Sequence, residues 1–238
     1  MARPPDAAPT QVLGIDEAGR GPVLGPLVLC GVCVGEAGYA ALSALGLEDS
    51  KAYGAGFKAV ARRAELAREI CEVAEVAIQI AEPEEIDRFC LQGGLNRLEQ
   101  LLAARVIEEF GCPGRIIADG ARLFAPLAKR YPQLEARDKA DADEVSVAAA
   151  SIIAKDERDR RLERLLDQVG AELGPIRGGG YPNAATARFL RAYAERHGCL
   201  PPGLRQSWSW RVLLELREEL GIETPRPAKQ LGLLGEAP

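Results

Sequence analysis

Residues 14–26 read "GIDEAGRGPVLGP": a strand-like run ends on two adjacent carboxylates, Asp16 and Glu17, and gives way to glycine, arginine and proline. Neighbouring side chains of a strand point to opposite faces, so the two acids cannot both address one target from regular strand geometry. The chain must turn there. The apolar run "PLVLCGVCV" follows at once, giving two strands joined by a Gly/Pro-rich connection.

Alternation of Val76, Ile78 and Ile80 in "AEVAIQIA" marks a third strand, "RIIADG" a fourth and "QLEARDKAD" a fifth. Helical spacing links Phe57, Val60, Ala61, Ala64, Ala67 and Cys71, and again Leu95, Leu98, Leu102 and Val106. A long helix, "EVSVAAASIIAKDERDRRLERLL", comes after the fifth strand, and helices are expected near 184–197 and 209–220. Strands in series followed by strand and helix in alternation predict an α/β protein, a mixed sheet with helices packed on it. "GPIRGGGYPNA" is too glycine-rich for a regular element and reads as a loop. The domain is expected to span residues 11–222, with a helical C-terminal subdomain from about 175 to 222. Residues 1–10 and 223–238 are expected to be flexible extensions.

The 238 residues, 47% of them hydrophobic, suffice for one substantial core. No run approaches the length of a membrane span and "MARPPDAAPTQ" lacks a signal-peptide pattern, so a cytoplasmic protein without membrane association is expected. Its six cysteines show no regular spacing, and Cys30 and Cys33 lie in a strand-like run, where small buried apolar residues are expected rather than a redox pair. A net charge of -5 argues against non-specific coating of nucleic acid. Between Arg177 and Arg211, however, six arginines face one acid, Glu195. That excess suits a phosphate-bearing partner or, equally, a solvated helix face.

Asp16 and Glu17, Asp119 and Asp141 all fall where a strand ends or a helix begins, the places where an open α/β sheet assembles a site. Asp119 before Gly120 also fits an ordinary turn, and Asp141 with Asp143 could cap the helix near Val145. Several carboxylates in one concavity repel one another unless a cation sits among them, and oxygen-only donors suit Mg²⁺ or Mn²⁺. The one histidine, His197, lies near a helix end and reads as a surface or capping residue. With no nucleophile paired to a histidine base and no phosphate-binding "GxxxxGK[ST]" loop, metal-dependent hydrolysis of a nucleic acid is the leading reading.

"GIDEAGRGPVLGP" resembles the opening signature of the ribonuclease HII family. "DSK" at 49–51, "EEID" at 84–87, "LNRLE" at 95–99, "ADG" at 118–120, "KADADEVSVAAASIIAKDERDR" at 139–160, "GGGYPNAAT" at 178–186 and "RQSW" at 205–208 follow in that family's order. The "KADA" and "GYP" forms are similar to the archaeal and eukaryotic branch. The resemblance implies an RNase H-like fold, a five-stranded mixed sheet flanked by helices with a helical C-terminal subdomain. It further implies endonucleolytic hydrolysis of RNA in RNA/DNA hybrids, and cleavage 5' to ribonucleotides embedded in duplex DNA, leaving a 3'-hydroxyl and a 5'-phosphate.

Carried onto this sequence, the resemblance makes Asp16, Glu17, Asp119 and Asp141 the catalytic carboxylates and ligands of divalent Mn²⁺ or Mg²⁺. Asp16 would bridge two metals, with Asp119 and Glu17 completing one site and Asp141 the other. Gly19, Arg20 and Gly21 become the ribose sensor, and Tyr181 stacks on the neighbouring deoxyribose. Their chemistry agrees: glycines let backbone approach a 2'-hydroxyl, and Arg20 can pair with a phosphate. Lys51 and Arg205 are candidate phosphate contacts. Two departures stand out: Gly179 replaces a frequent serine, which would loosen the loop, and "DSKAYGAGF" lacks the usual "DSKKLS" continuation.

Two rival readings, an ATP-using phosphotransferase on the same fold and a non-catalytic hybrid-binding protein, fit less well; the first needs two lobes and the second leaves four acids unexplained. Near the C-terminus, "QLGLL" follows a Pro-rich linker and is similar to peptides that bind the sliding clamp, through Gln230, Leu231, Leu233 and Leu234. A monomer is expected.

Overall fold

The structure, a computed structural model, describes residues 11–47, 57–170, 173, 176 and 178–225. Lys51 and the Gln230–Leu234 peptide lie outside the described residues. Those described residues within Met1–Ala18, Val28–Ile80 and Glu99–Glu157 form one compact unit, and those within Gly19–Leu27, Ala81–Leu98 and Arg158–Pro238 a second.

The first unit is built on a five-stranded sheet. Its strands are β1 (Val12–Ala18), β2 (Leu27–Val34), β3 (Glu75–Ala81), β4 (Arg115–Asp119) and β5 (Leu134–Arg137), in the order β3-β2-β1-β4-β5. β1 pairs antiparallel with β2, Asp16 opposite Cys30, and parallel with β4, which pairs parallel with β5. The sheet is mixed, as expected. Every residue of β2 is buried, the signature of a strand covered on both faces, and Cys30 and Cys33 are two of its packing residues.

Helices α1 (Glu36–Ala44), α2 (Phe57–Val73), α3 (Pro83–Leu91), α4 (Leu95–Glu109), α5 (Ala121–Phe124) and α6 (Val145–Gly170) follow, then α7 (Ala184–His197) and α8 (Arg211–Leu220). The last two match the expected ranges. α1 and α5 have no counterpart in the sequence reading, because neither carries a long enough apolar stripe. The stripe expected on α2 is corrected: Ala59, Arg63, Leu66, Ala67 and Ile70 are buried while Val60 and Cys71 are exposed. The larger apolar pair, Leu66 and Ile70, decides which side turns inward.

One core cluster joins Leu66 and Ile70 of α2 and Ala149, Ala150, Ile152 and Ile153 of α6 to Val28, Cys30, Val32 and Val34 of β2. In the second unit Val23, Leu24, Leu162, Phe189, Leu190, Leu204, Leu213 and Leu216 form a separate cluster. None of the described helices is long and apolar enough to cross a membrane.

α6 approaches β1 as closely as backbones can. A Cβ built on Gly14 would lie 2.2 Å from the carbonyl carbon of Ser146 and 2.3 Å from the amide nitrogen of Val147. Real Cβ atoms do not come so near backbone, so only glycine fits. Gly14→Ala is expected to lower stability by about 2–3 kcal/mol, the cost of overpacking a closed core. Urea unfolding followed by far-UV circular dichroism measures it; an unchanged midpoint would contradict the packing.

Candidate functional site

Gly14 and Asp16 lie two apart on one face of β1, so the helix that crosses Gly14 continues beside Asp16. Between four and five residues of helix advance about as far as two of strand, which from Val147 brings the Ser151 turn of α6 level with Asp16. Ser151 hydrogen-bonds the Asp16 carboxylate, and Lys155, one turn on, donates to Ser151 Oγ at 2.9 Å. The Glu17 amide donates to Asp16 Oδ1 at 2.8 Å. Burial nevertheless dominates: with the negative charge of Asp119 it pushes the Asp16 carboxyl up to about 7, against the pull of Ser151, Glu17 and Lys155.

Asp119 ends β4, and Gly120 turns the chain in the left-handed region at φ 111°. The turn expected at this aspartate is therefore real, and it serves the cluster. Asp119 Oδ1 accepts from the amide of Ala140 at 3.1 Å, the first residue of a 3-10 turn, Ala140–Ala142, that carries Asp141. Lys139, at φ 61°, is one of two non-glycine residues in the left-handed region among those described. Such a conformation persists where surrounding contacts fix it, here at the entry to the turn bearing Asp141.

Asp16, Asp119 and Asp141 each place a carboxylate oxygen within 4.8 Å of the others. Asp16 and Asp141 are buried and Asp119 is half-buried. Helix capping does not account for Asp141, which sits in the preceding turn with α6 starting at Val145. Glu17, half-buried, belongs to the opposite face of β1 and is not in this group of three. Three of the four expected carboxylates are thus brought together. Ser151 and Lys155 were missed by sequence reasoning, although their spacing of four and their place on the long helix could have paired them.

Gly19, Arg20, Gly21 and Tyr181 belong to the second unit and do meet. A Cβ on Gly21 would lie 2.9 Å from Cε1 of Tyr181, so the tyrosine ring rests where any other residue would put its side chain. Tyr181 is 44% exposed, so it is not a core tyrosine. Gly19 sits at φ 91°, and its Cβ would strike the Pro26 carbonyl at 2.5 Å. Arg20 donates to Asn96 Oδ1 at 2.6 Å, a partner from "LNRLE" that sequence reasoning did not assign. The loop before Tyr181 holds three successive left-handed glycines, Gly178, Gly179 and Gly180. It is also tied down. Gly179 O accepts from Arg158 Nη1 at 3.0 Å and Gly180 O from the Val23 amide at 2.9 Å, anchors the expectation of a loosened loop did not include.

The structure corrects Arg205. Its side chain is fully buried and donates to the carbonyl oxygens of Gly19, Arg20 and Gly25, so no phosphate can reach it. Burial lowers its pKa to about 10, still protonated at neutral pH. The basic stretch thins likewise: Arg191 and Arg211 both bond Glu215. His197 ends α7 with its ring 4.3 Å from that of Tyr193, a surface residue as expected.

The family model for ribonuclease HII matches residues 13–210. Ribonuclease HII of Thermococcus sibiricus is 37% identical over 221 residues, covering 88% of this chain and 92% of that protein. The crystal structure of ribonuclease H2 from Pyrococcus horikoshii superposes with a TM-score of 0.72 at 30% identity, covering 90% of this chain and all of the other. The RNase HII in a PCNA:RNase HII complex from Archaeoglobus fulgidus gives a TM-score of 0.72 at 32% identity over 84% of this chain and 96% of that one. Sheet order, the aspartate trio and sequence similarity over most of its length agree: the chain belongs to the ribonuclease HII family and is a metal-dependent endoribonuclease.

Proposed function

We propose that this protein hydrolyses the RNA strand of RNA/DNA hybrids and cuts duplex DNA 5' to an embedded ribonucleotide, with Asp16, Glu17, Asp119 and Asp141 as its acidic centre. The convergence of Asp16, Asp119 and Asp141 from β1, β4 and the turn before α6 carries the reading. The donors are carboxylate oxygens alone, and burial with a neighbouring negative charge makes the ionised Asp16 costly. That set fits a hard divalent cation, Mg²⁺ or Mn²⁺, held by the three aspartates with Glu17 as the fourth acid. When bound, the cation supplies positive charge against phosphate oxygens and acidifies a water for in-line attack, with a 3'-hydroxyl and a 5'-phosphate as the ends produced.

The protein's own groups prepare that centre. Lys155 donates to Ser151 Oγ, which leaves the Ser151 proton for the Asp16 carboxylate. In recognition, Gly19, Arg20 and Gly21 read the 2'-hydroxyl, Arg20 being steadied by Asn96 for an adjacent phosphate, and Tyr181 meets the neighbouring deoxyribose. Lys51 is kept as a further phosphate contact. The catalytic domain spans 11–222 and acts in the cytoplasm as a monomer. Gln230, Leu231, Leu233 and Leu234 form a clamp-binding peptide, a reading supported by their pattern and by the PCNA complex of the Archaeoglobus relative.

Asp119→Asn is expected to abolish cleavage of a duplex carrying one ribonucleotide in Mn²⁺ while retaining hybrid binding in a mobility-shift assay; full activity would sink the assignment. Asp16 gives a pH test. Its folded-state pKa of about 7 lies above the ordinary carboxylate value of 3.8, so between them the native state holds the proton more tightly than the unfolded chain. Its contribution to the stability of metal-chelated protein therefore falls as pH rises from about 4 to 7. In EDTA, Asp16→Asn should melt several degrees above wild type at pH 8, a gap that closes towards pH 4. Deleting residues 226–238 should remove affinity for the sliding clamp in surface plasmon resonance and leave cleavage unchanged.

A further inference from the structure

A glycine- and proline-rich connection such as 19–26 would ordinarily leave its carbonyls to water. Here two side chains collect four of them. The Arg205 guanidinium donates through Nε to Gly25 O at 2.9 Å, through Nη1 to Arg20 O at 3.2 Å and through Nη2 to Gly19 O at 2.6 Å. Its Cζ lies over the Trp208 ring, 4.9 Å from the centroid, and Trp208 Nε1 donates to Gly21 O at 3.2 Å.

The two side chains are themselves pinned. The Arg205 amide donates to Val23 O at 2.8 Å, next to the bridge between Leu24 and Leu204. Asp87, from "EEID", accepts from the Gln206 amide at 2.7 Å, the Ser207 amide at 2.8 Å and Ser207 Oγ at 2.6 Å. Arg217, buried in α8, holds Gln206 through both its backbone oxygen and Oε1.

All described peptide bonds are trans, and in a planar trans peptide the carbonyl of one residue and the amide of the next point opposite ways. Turning the Gly19 and Arg20 carbonyls onto Arg205 therefore turns the amides of Arg20 and Gly21 to the other edge of the segment. Proline at 22 ends the row, having no N–H to offer. We propose that Arg205, with Trp208, is the positioning residue for ribose discrimination: by drawing in the carbonyls of residues 19–21 it presents the Arg20 and Gly21 amides as a fixed pair of donors to the 2'-hydroxyl. This rests on the reading of Gly19–Gly21 as the sugar-reading segment. It makes Arg205 a determinant of specificity without contact to the nucleic acid.

The decisive quantity is the ratio of affinities for two otherwise identical duplexes, one all DNA and one with a single ribonucleotide, measured on the full chain in an Asp119→Asn background so that nothing is cut. Arg205→Lys keeps the charge but cannot span three carbonyls; Trp208→Phe keeps a ring over the guanidinium and loses one donor. Both should bring the ratio towards one while affinity for all-DNA duplex stays at its parent value. In the cleaving protein, single-turnover kcat should fall about ten- to a hundred-fold in Arg205→Lys and less in Trp208→Phe. A merely structural role would lower the melting temperature and both affinities together. If Arg205→Lys does not fold, Trp208→Phe decides. A parental ratio in folded variants overturns the proposal while leaving the ribose reading intact. A parent protein that does not distinguish the two duplexes overturns both.

Discussion

The contact of α6 with β1 at Gly14 is the constraint from which the surroundings of Asp16 follow. Hydrogen there instead of a side chain lets helix backbone lie on strand backbone, and the pitch of the one against the rise of the other then aligns Ser151 with Asp16. A methyl group would lift the helix and carry Ser151 and Lys155 with it. The buried carboxylate would keep its desolvation penalty and lose the donors that offset it. Packing and chemistry are set at one position two residues from the acid they serve.

A second economy appears at Asp119. Its carboxylate both faces the other aspartates and accepts the amide of Ala140, so the residue helps shape the turn that delivers Asp141. The acids are not independent ornaments on a finished scaffold. Asp119 bonds the backbone that presents Asp141, which helps hold like charges from distant stretches of sequence near one another without a histidine or cysteine among them.

Much of this was legible beforehand. The strands, the long helix and the last two helices follow from alternation and 3.6-residue spacing, and the acids that converge were the ones standing at strand ends. Three kinds of information were not available. Helix α1 is nine residues long and rich in alanine, with Leu42 its buried residue, so it carries no stripe of large apolar side chains to announce itself. The facing side of α2 depended on Leu66 and Ile70 outweighing a weaker stripe of alanines. Arg205 reads as a phosphate contact from the resemblance of "RQSW"; that its donors would be consumed by carbonyls far away in sequence is a tertiary fact with no local signature. The same holds for Asp87, marked in the sequence only as part of "EEID", whose carboxylate collects three donors from residues 206 and 207.

Gly19 and Arg205 are separated by 186 positions, yet one guanidinium gives the early segment its shape. At translation speeds of about 5–20 residues per second, Gly19 is made some ten to forty seconds before its organiser exists. The strands β1, β2 and β4, with the acids they carry, can begin to associate during that interval, whereas the segment from Gly19 to Gly25 cannot take its form until Arg205 has been synthesised. Synthesis order therefore separates the strands that carry Asp16 and Asp119 from the residue that gathers the 19–25 carbonyls, and any chain truncated before Arg205 carries those strands without that clasp.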